Sequence, residues 1–284
     1  MKLRRLGTTT SRIPAIGQGT WKLELSERRA AVAALARGIE LGMTHVDTAE
    51  MYGSGEVECI VGEALRAIGP EARERVFLAT KVLPHNASRA GTIAACERSL
   101  ERLGTDWLDL YLLHWPGEHP LGGTLEAFEE LVRRGLVRHW GVSNFDAHEL
   151  DEVVRIAGPG RCACDQVLYH LEERAIEHRV LPKCEELGMT LVAYSPFAEG
   201  RFPAADSQGG RALAEVARAH DATPRQTALA FLTRRPSLAA IPMSARLAHI
   251  EENAAAGELE LTPAEIAALD DAFPRGRARA LPTL

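Results

Sequence analysis

The chain has 284 residues, room for one large domain or two small ones, and its 46% hydrophobic and 25% charged residues are those of a soluble globular protein. A net charge of −6 argues against nucleic acid as a partner. No run approaches the roughly 18 apolar residues of a membrane span, so a cytoplasmic protein with no membrane partner is expected.

Segments 2–6 and 11–16 flank the turn Gly7-Thr8-Thr9-Thr10 and predict an N-terminal β-hairpin. A first short strand follows over 17–21. Ser26 has the chemistry of a helix cap, and Gly42 ends that helix. From there strands and helices alternate. Strands are expected over 44–47, 76–81, 108–114, 137–143, 164–167, 190–194 and 238–241. Helices are expected over 56–67, 88–103, 124–134, from Asp146 onward, before Gly188, over 211–220 and over 247–256. Eight strands alternating with helices predict an α/β fold, a (β/α)8 TIM barrel over 1–284 as one domain. An open doubly wound sheet is the alternative. It would carry Gly-x-Gly-x-x-Gly in its first βα turn, and Gly53-Ser54-Gly55 and Gly17-Gln18-Gly19 both lack the third glycine.

The five cysteines (Cys59, Cys96, Cys162, Cys164 and Cys184) are scattered, as in a reducing compartment. Cys162 and Cys164 lack a second pair or a nearby histidine, so no metal site is expected. Their spacing puts them on the same side of a strand.

Functional residues of a barrel gather where the strands end. Three successive predicted strands end in Asp47, Lys81 and His114, with Tyr52 in the loop behind the first. A phenol titrates near pH 10. A nearby ammonium lowers that value, and a carboxylate holds the ammonium charged. A histidine can bind a substrate oxygen or relay a proton. The four residues can therefore form an acid that protonates a developing alkoxide. Each also has a purely structural reading: Asp47 as a turn cap, Lys81 as an exposed strand end, His114 as a core histidine, Tyr52 as loop packing. Spacing alone does not choose between them.

Longer motifs add to this reading. Asp47-Thr48-Ala49-Glu50-x-Tyr52-Gly53, the run from Leu108 to Pro116, Gly141-Val142-Ser143-Asn144-Phe145 and Tyr194-Ser195-Pro196 resemble, in order, those of the aldo-keto reductases. The resemblance covers nearly the whole chain. It implies carbonyl reduction by hydride transfer from NADP(H), with NAD(H) as the other candidate. Tyr52 would be the general acid, Lys81 and Asp47 the pair that tunes it, and His114 the orienting hydrogen bonder. Ser143, Asn144 and Gln166 would hold the carboxamide, and Tyr194 would stack on the nicotinamide. Thr20, Trp21, Asp47, Ser195, Pro196, Phe197, Ile241, Ser244, Arg246, His249, Glu252 and Asn253 complete the implied cofactor contacts. Trp21, Tyr52, His114 and Trp115 would meet the substrate, a small carbonyl compound. Met243 and His249 stand where the NADPH-selective pattern has a lysine and an arginine, and Arg246 is the candidate to compensate. The motif Gln166-Val167-Leu168-Tyr169-His170 resembles the bacterial subgroup that reduces methylglyoxal. The loop over 198–210 is expected to fold over the cofactor. A monomer is the family's default. A cofactor-binding redox sensor and a Schiff-base aldolase acting through Lys81 are the competing functions.

Overall fold

Eight parallel strands pair in chain order in the computed structural model, which describes residues 1–283. An antiparallel hairpin, β1 (Leu3–Arg5) and β2 (Arg12–Pro14), precedes them. The sheet then runs through β3 (Gln18–Gly19), β4 (His45–Asp47), β5 (Phe77–Val82), β6 (Leu108–Leu113), β7 (Val137–Ser143), β8 (Cys162–Leu168), β9 (Thr190–Tyr194) and β10 (Leu238–Ala240). Helices α1 (Arg28–Glu40), α2 (Glu56–Ile68) and α3 (Ala72–Arg75) fill the first crossovers. They are followed by α4 (Arg89–Leu103), α5 (Leu121–Arg133), α6 (Ala147–Ala157), α7 (Val180–Leu187), α8 (Gln208–Ala219), α9 (Pro224–Leu232), α10 (Leu247–Ala256) and α11 (Pro263–Ala272).

The two edges of the sheet meet. Gly17 N donates to the Ala240 carbonyl at 2.8 Å, Ala240 N to Ala15 O at 2.9 Å, and Gly19 N to Pro242 O at 3.1 Å. A Cβ on Gly19 would sit 2.5 Å from the Ile241 carbonyl, so only glycine allows this approach. Closure joins the two edges of the eight-stranded sheet and gives the expected (β/α)8 barrel.

Side chains of a strand alternate between the two faces of the sheet. One set, including Ala79, Leu110, Leu112, Cys164, Val192 and Ala239, fills the barrel interior. Leu6 and Ile13 of the hairpin are fully buried in the same cluster and plug the end where the strands begin. A larger cluster lies between strands and helices. No helix among the described residues is long and apolar enough to cross a membrane.

Several local expectations are corrected. Glu27, not Ser26, caps α1, its carboxylate accepting from Ala30 N at 2.8 Å. Helix α5 starts three residues before the expected Thr124, because Pro120 enters it ahead of Gly122 and Gly123. Cys162 and Cys164 do not share a side. The register slips between β7 and β8 at this point, and Cys162 joins the outer cluster while Cys164 joins the interior. Helices α9 and α11 lie outside the expected elements, although each begins with a capping box whose threonine precedes a proline: Thr223 with Gln226, and Thr262 with Glu265.

His45 lies on the interior face of β4, two residues before Asp47. It is fully buried against the edge of Phe77, and neither ring nitrogen has a partner. Burial therefore lowers its pKa to about 4. The unfolded chain takes up that proton near pH 6.5 and the folded chain does not, so the stability this neutral ring contributes is lost as pH falls from about 6.5 toward 4. The slope is about 1.4 kcal/mol per pH unit. Urea denaturation at pH 7 and pH 5 checks this: the wild type should lose more stability than His45→Leu, and parallel losses would contradict it.

Candidate active site

The period of two explains why the predicted residues meet. Asp47, Lys81, Ser143 and Tyr194 occupy the last or next-to-last positions of their strands, Gln166 stands third from the end of β8, and His114 directly follows β6. They converge on a cavity of about 420 Å³ at the C-terminal mouth of the barrel.

Lys81 is completely buried beneath this cavity and Asp47 is 1% exposed. The ammonium donates to Asp47 Oδ1 at 2.5 Å, to the Thr48 carbonyl at 2.9 Å and to the Tyr52 hydroxyl at 3.1 Å. All three N–H bonds are thus used, which offsets the cost of burying the charge. The second Asp47 oxygen accepts from Gln166 Nε2 at 2.8 Å. Burial works against the ammonium, but Asp47 and Tyr52 outweigh it, and the Lys81 pKa is raised.

Tyr52 is held from three directions. Gly53, Ser54 and Gly55 all have left-handed backbone, with φ of 55°, 55° and 95°, and turn the chain sharply behind it. Glu50 ties the same loop to the next one, accepting from Leu83 N at 2.8 Å and Asn86 Nδ2 at 3.0 Å. The His114 ring packs edge-on at 5.7 Å. The expectation that Lys81 would lower the phenol pKa is corrected in its net sign. Burial raises it by more than Lys81 lowers it, so the hydroxyl keeps its proton at neutral pH.

His114 is 7% exposed and packs at a tilt against Trp115, with ring centroids 4.7 Å apart. Burial and the Lys81 charge push its pKa down to about 2. Its Nδ1 is buried without a partner. The ring is therefore a neutral hydrogen bonder, not an acid.

Beside this group, Ser143 Oγ donates to the Gln166 carbonyl at 2.8 Å. Asn144, at φ 61°, donates through Nδ2 to the His114 carbonyl at 3.1 Å and accepts from the Tyr194 hydroxyl at 2.9 Å. None of these bonds uses Gln166 Oε1, its second N–H or the second lone pair of Asn144 Oδ1. That set of donors and acceptors matches a primary carboxamide, so the residues present fit a nicotinamide.

The cavity is lined by Thr20, Trp21, Asp47, Tyr52, His114, Trp115, Ser143, Asn144, Gln166, Tyr194, Ser195, Pro196, Phe197, Ile241 and His249 of the predicted set. Ser244, Arg246, Glu252 and Asn253 lie off this lining. Arg246 is exposed, with its N–H bonded to Ser244 Oγ at 3.0 Å, and Glu252 accepts from Thr223 Oγ1 at 2.5 Å. Asn253 is buried. Lining residues that the sequence reading passed over include Lys22, Met51, Glu199 and Arg225. Lys22 and Glu199 form an ion pair at 3.0 Å that joins the loop after β3 to the loop after β9. Arg225 was missed with helix α9, whose Thr-Pro-Arg-Gln start was the available signal.

The family model described as "Aldo/keto reductase family" matches residues 15–273. The chain is 45% identical to methylglyoxal reductase YeaE of Escherichia coli (strain K12), over 94% of this chain and 93% of that protein. It is 32% identical to a glyoxal reductase of Bacillus subtilis (strain 168), over 91% and 88%. The fold superimposes on an aldo/keto reductase from Klebsiella pneumoniae, crystallised with NADP and acetate, with a TM-score of 0.92 at 41% identity and complete coverage of both chains.

Proposed function

The chain belongs to the aldo/keto reductase family, and on that premise we propose that it reduces small aldehydes and ketones of the methylglyoxal kind to alcohols, with NADPH as reductant. The observation that carries the chemistry is the Lys81 ammonium, bonded to both Asp47 and Tyr52 under the cavity floor.

When bound, the reduced nicotinamide supplies the hydride that the carbonyl carbon accepts. Ser143, Asn144 and Gln166 hold the carboxamide, and Tyr194 forms an aromatic wall beside the ring. Tyr52 donates its proton to the carbonyl oxygen as negative charge develops there. Lys81, kept charged by Asp47, stabilises the phenolate left behind. His114, neutral, directs the oxygen toward Tyr52 by a hydrogen bond. Trp21, Met51 and Trp115 give the substrate side an apolar surface suited to short carbonyl compounds. The loop containing Phe197 and Glu199 covers the cofactor, held by the Lys22–Glu199 pair. We take residues 1–284 as one reductase domain.

A paired assay with methylglyoxal, following loss of the reduced-nicotinamide absorbance with NADPH and then NADH, tests this reading. Turnover is expected with both and faster with NADPH. Cofactor binding without turnover of methylglyoxal, glyoxal or other short aldehydes would instead favour the redox-sensor function. Because Tyr52 must begin protonated, reduction should hold steady through neutral pH and fall only on the alkaline side of an ordinary phenol's pKa, near 10. A fall centred near pH 7 would contradict this assignment.

A further inference from the structure

Four charged side chains line the cavity: Lys22, Asp47, Glu199 and Arg225. Lys22 pairs with Glu199 at 3.0 Å, and Asp47 pairs with Lys81 below the floor at 2.5 Å. Arg225 is left over. Among the described residues no carboxylate pairs with it, and its guanidinium packs against aromatic rings.

Those contacts hold it in place. Its guanidinium lies 5.1 Å from the Phe197 ring centroid and 4.9 Å from that of Phe202. The two rings are themselves packed edge to face at 5.9 Å. Both come from the loop after β9, so Arg225 joins that loop to the start of α9. Half-burial against two rings removes part of the guanidinium's water without supplying a counter-charge. Its place in the helix adds to the imbalance. Arg225 is the second residue of α9, after Pro224, where the helix dipole favours an anion and disfavours a cation. A cation in that first turn costs stability unless an anion sits beside it. The neighbouring wall offers a phosphate no second cation, because Met243 is neutral and Arg246 lies outside the cavity lining.

We propose that Arg225 is a phosphate-binding residue of this enzyme, contacting the dinucleotide through its guanidinium and supplying the fixed positive charge that Met243 cannot. The inference rests on the cofactor reading above. Arginine suits the role because its planar fork matches two phosphate oxygens while its faces remain stacked on rings. The rings orient the fork before the cofactor arrives, so little side-chain freedom is lost on binding. The same contact would fasten the Phe197–Phe202 loop over the bound dinucleotide.

Quenching of tryptophan fluorescence by NADPH and by NADH, measured at low and high KCl, tests this in the wild type, Arg225→Leu and Arg225→Lys. Arg225→Leu should weaken NADPH binding by about tenfold or more, the size expected for a charge-assisted hydrogen bond, and should flatten its salt dependence. Arg225→Lys, which keeps the charge, should recover part of the affinity. Equal weakening for both cofactors would assign the contact to the pyrophosphate, and weakening of NADPH alone to the 2′-phosphate. Unchanged affinity and salt dependence in Arg225→Leu would overturn the inference. So would Arg225→Lys matching Arg225→Leu in a folded protein, because the charge would then be irrelevant. Failure of the wild type to bind either dinucleotide would instead overturn the cofactor reading itself.

Discussion

Tyr52→Phe is expected to lower methylglyoxal turnover by about 10²–10⁴ while leaving NADPH affinity nearly unchanged. The substitution removes one oxygen. Lys81 keeps its bonds to Asp47 and to the Thr48 carbonyl, so the buried charge stays paired. The ring keeps its edge-on contact with His114. What disappears is the phenolic proton, carried on the oxygen that accepts from the Lys81 ammonium. Neutral His114 cannot replace it as an acid, since its pKa is down at about 2. Stopped-flow reduction together with fluorescence titration separates the two effects. Wild-type turnover in the variant would remove Tyr52 from its role, and lost cofactor binding would show that the hydroxyl supports the site's structure instead.

Lys81→Met is the second large effect, and it falls on stability as well as rate. The ammonium is fully buried and has three acceptors. Deleting it leaves the Asp47 carboxylate at 1% exposure with Gln166 as its remaining side-chain donor. Breaking one partner out of such a pair costs about 3–5 kcal/mol, because an uncompensated charge remains buried. Urea denaturation should show this loss, and the double variant Lys81→Met/Asp47→Asn should recover part of it by removing the orphaned charge. A loss under about 1 kcal/mol would mean that water reaches Asp47 and the pair is not sealed. Turnover should be lost in both variants, since the phenolate left after proton transfer would have no cation beside it. The non-additivity of the two substitutions is the specific sign of a coupled pair.

These two experiments address different parts of one arrangement. The first removes the proton donor and leaves the electrostatics. The second removes the electrostatics and leaves the donor. If Tyr52 acts through Lys81, the double variant Tyr52→Phe/Lys81→Met should be little slower than the slower single variant, as for groups that act as a unit.

Much of the arrangement was legible in the chain itself. A strand has a period of two and barrel sites form where strands end, so Asp47, Lys81 and His114 at three successive strand ends already pointed to one rim. The eight-fold alternation of strand and helix pointed to the barrel. Glycine placement marked a helix end well at Gly188, a left-handed cap. These signals are local. They depend on backbone conformation and hydrophobic period, which neighbouring residues set among themselves.

Other features depended on distant segments meeting. Closure joins Gly17 and Gly19 to residues 240 and 242, more than two hundred positions away. The hairpin became the barrel's plug because Leu6 and Ile13 found the interior cluster. The slip between β7 and β8 separated Cys162 from Cys164 against the simple alternation of a strand. The net direction of the Tyr52 pKa turned on how deeply the ring is buried, which outweighs the ammonium that the motif placed beside it. The role of Arg225 rests on the two rings that hold it and on ion pairs that use up every other charge lining the cavity. The sequence alone determined which chemical groups stand at the ends of the strands. The tertiary structure decided how dry each group is and which charge is left over, because desolvation and pairing are set by everything packed around a residue rather than by its neighbours in the chain.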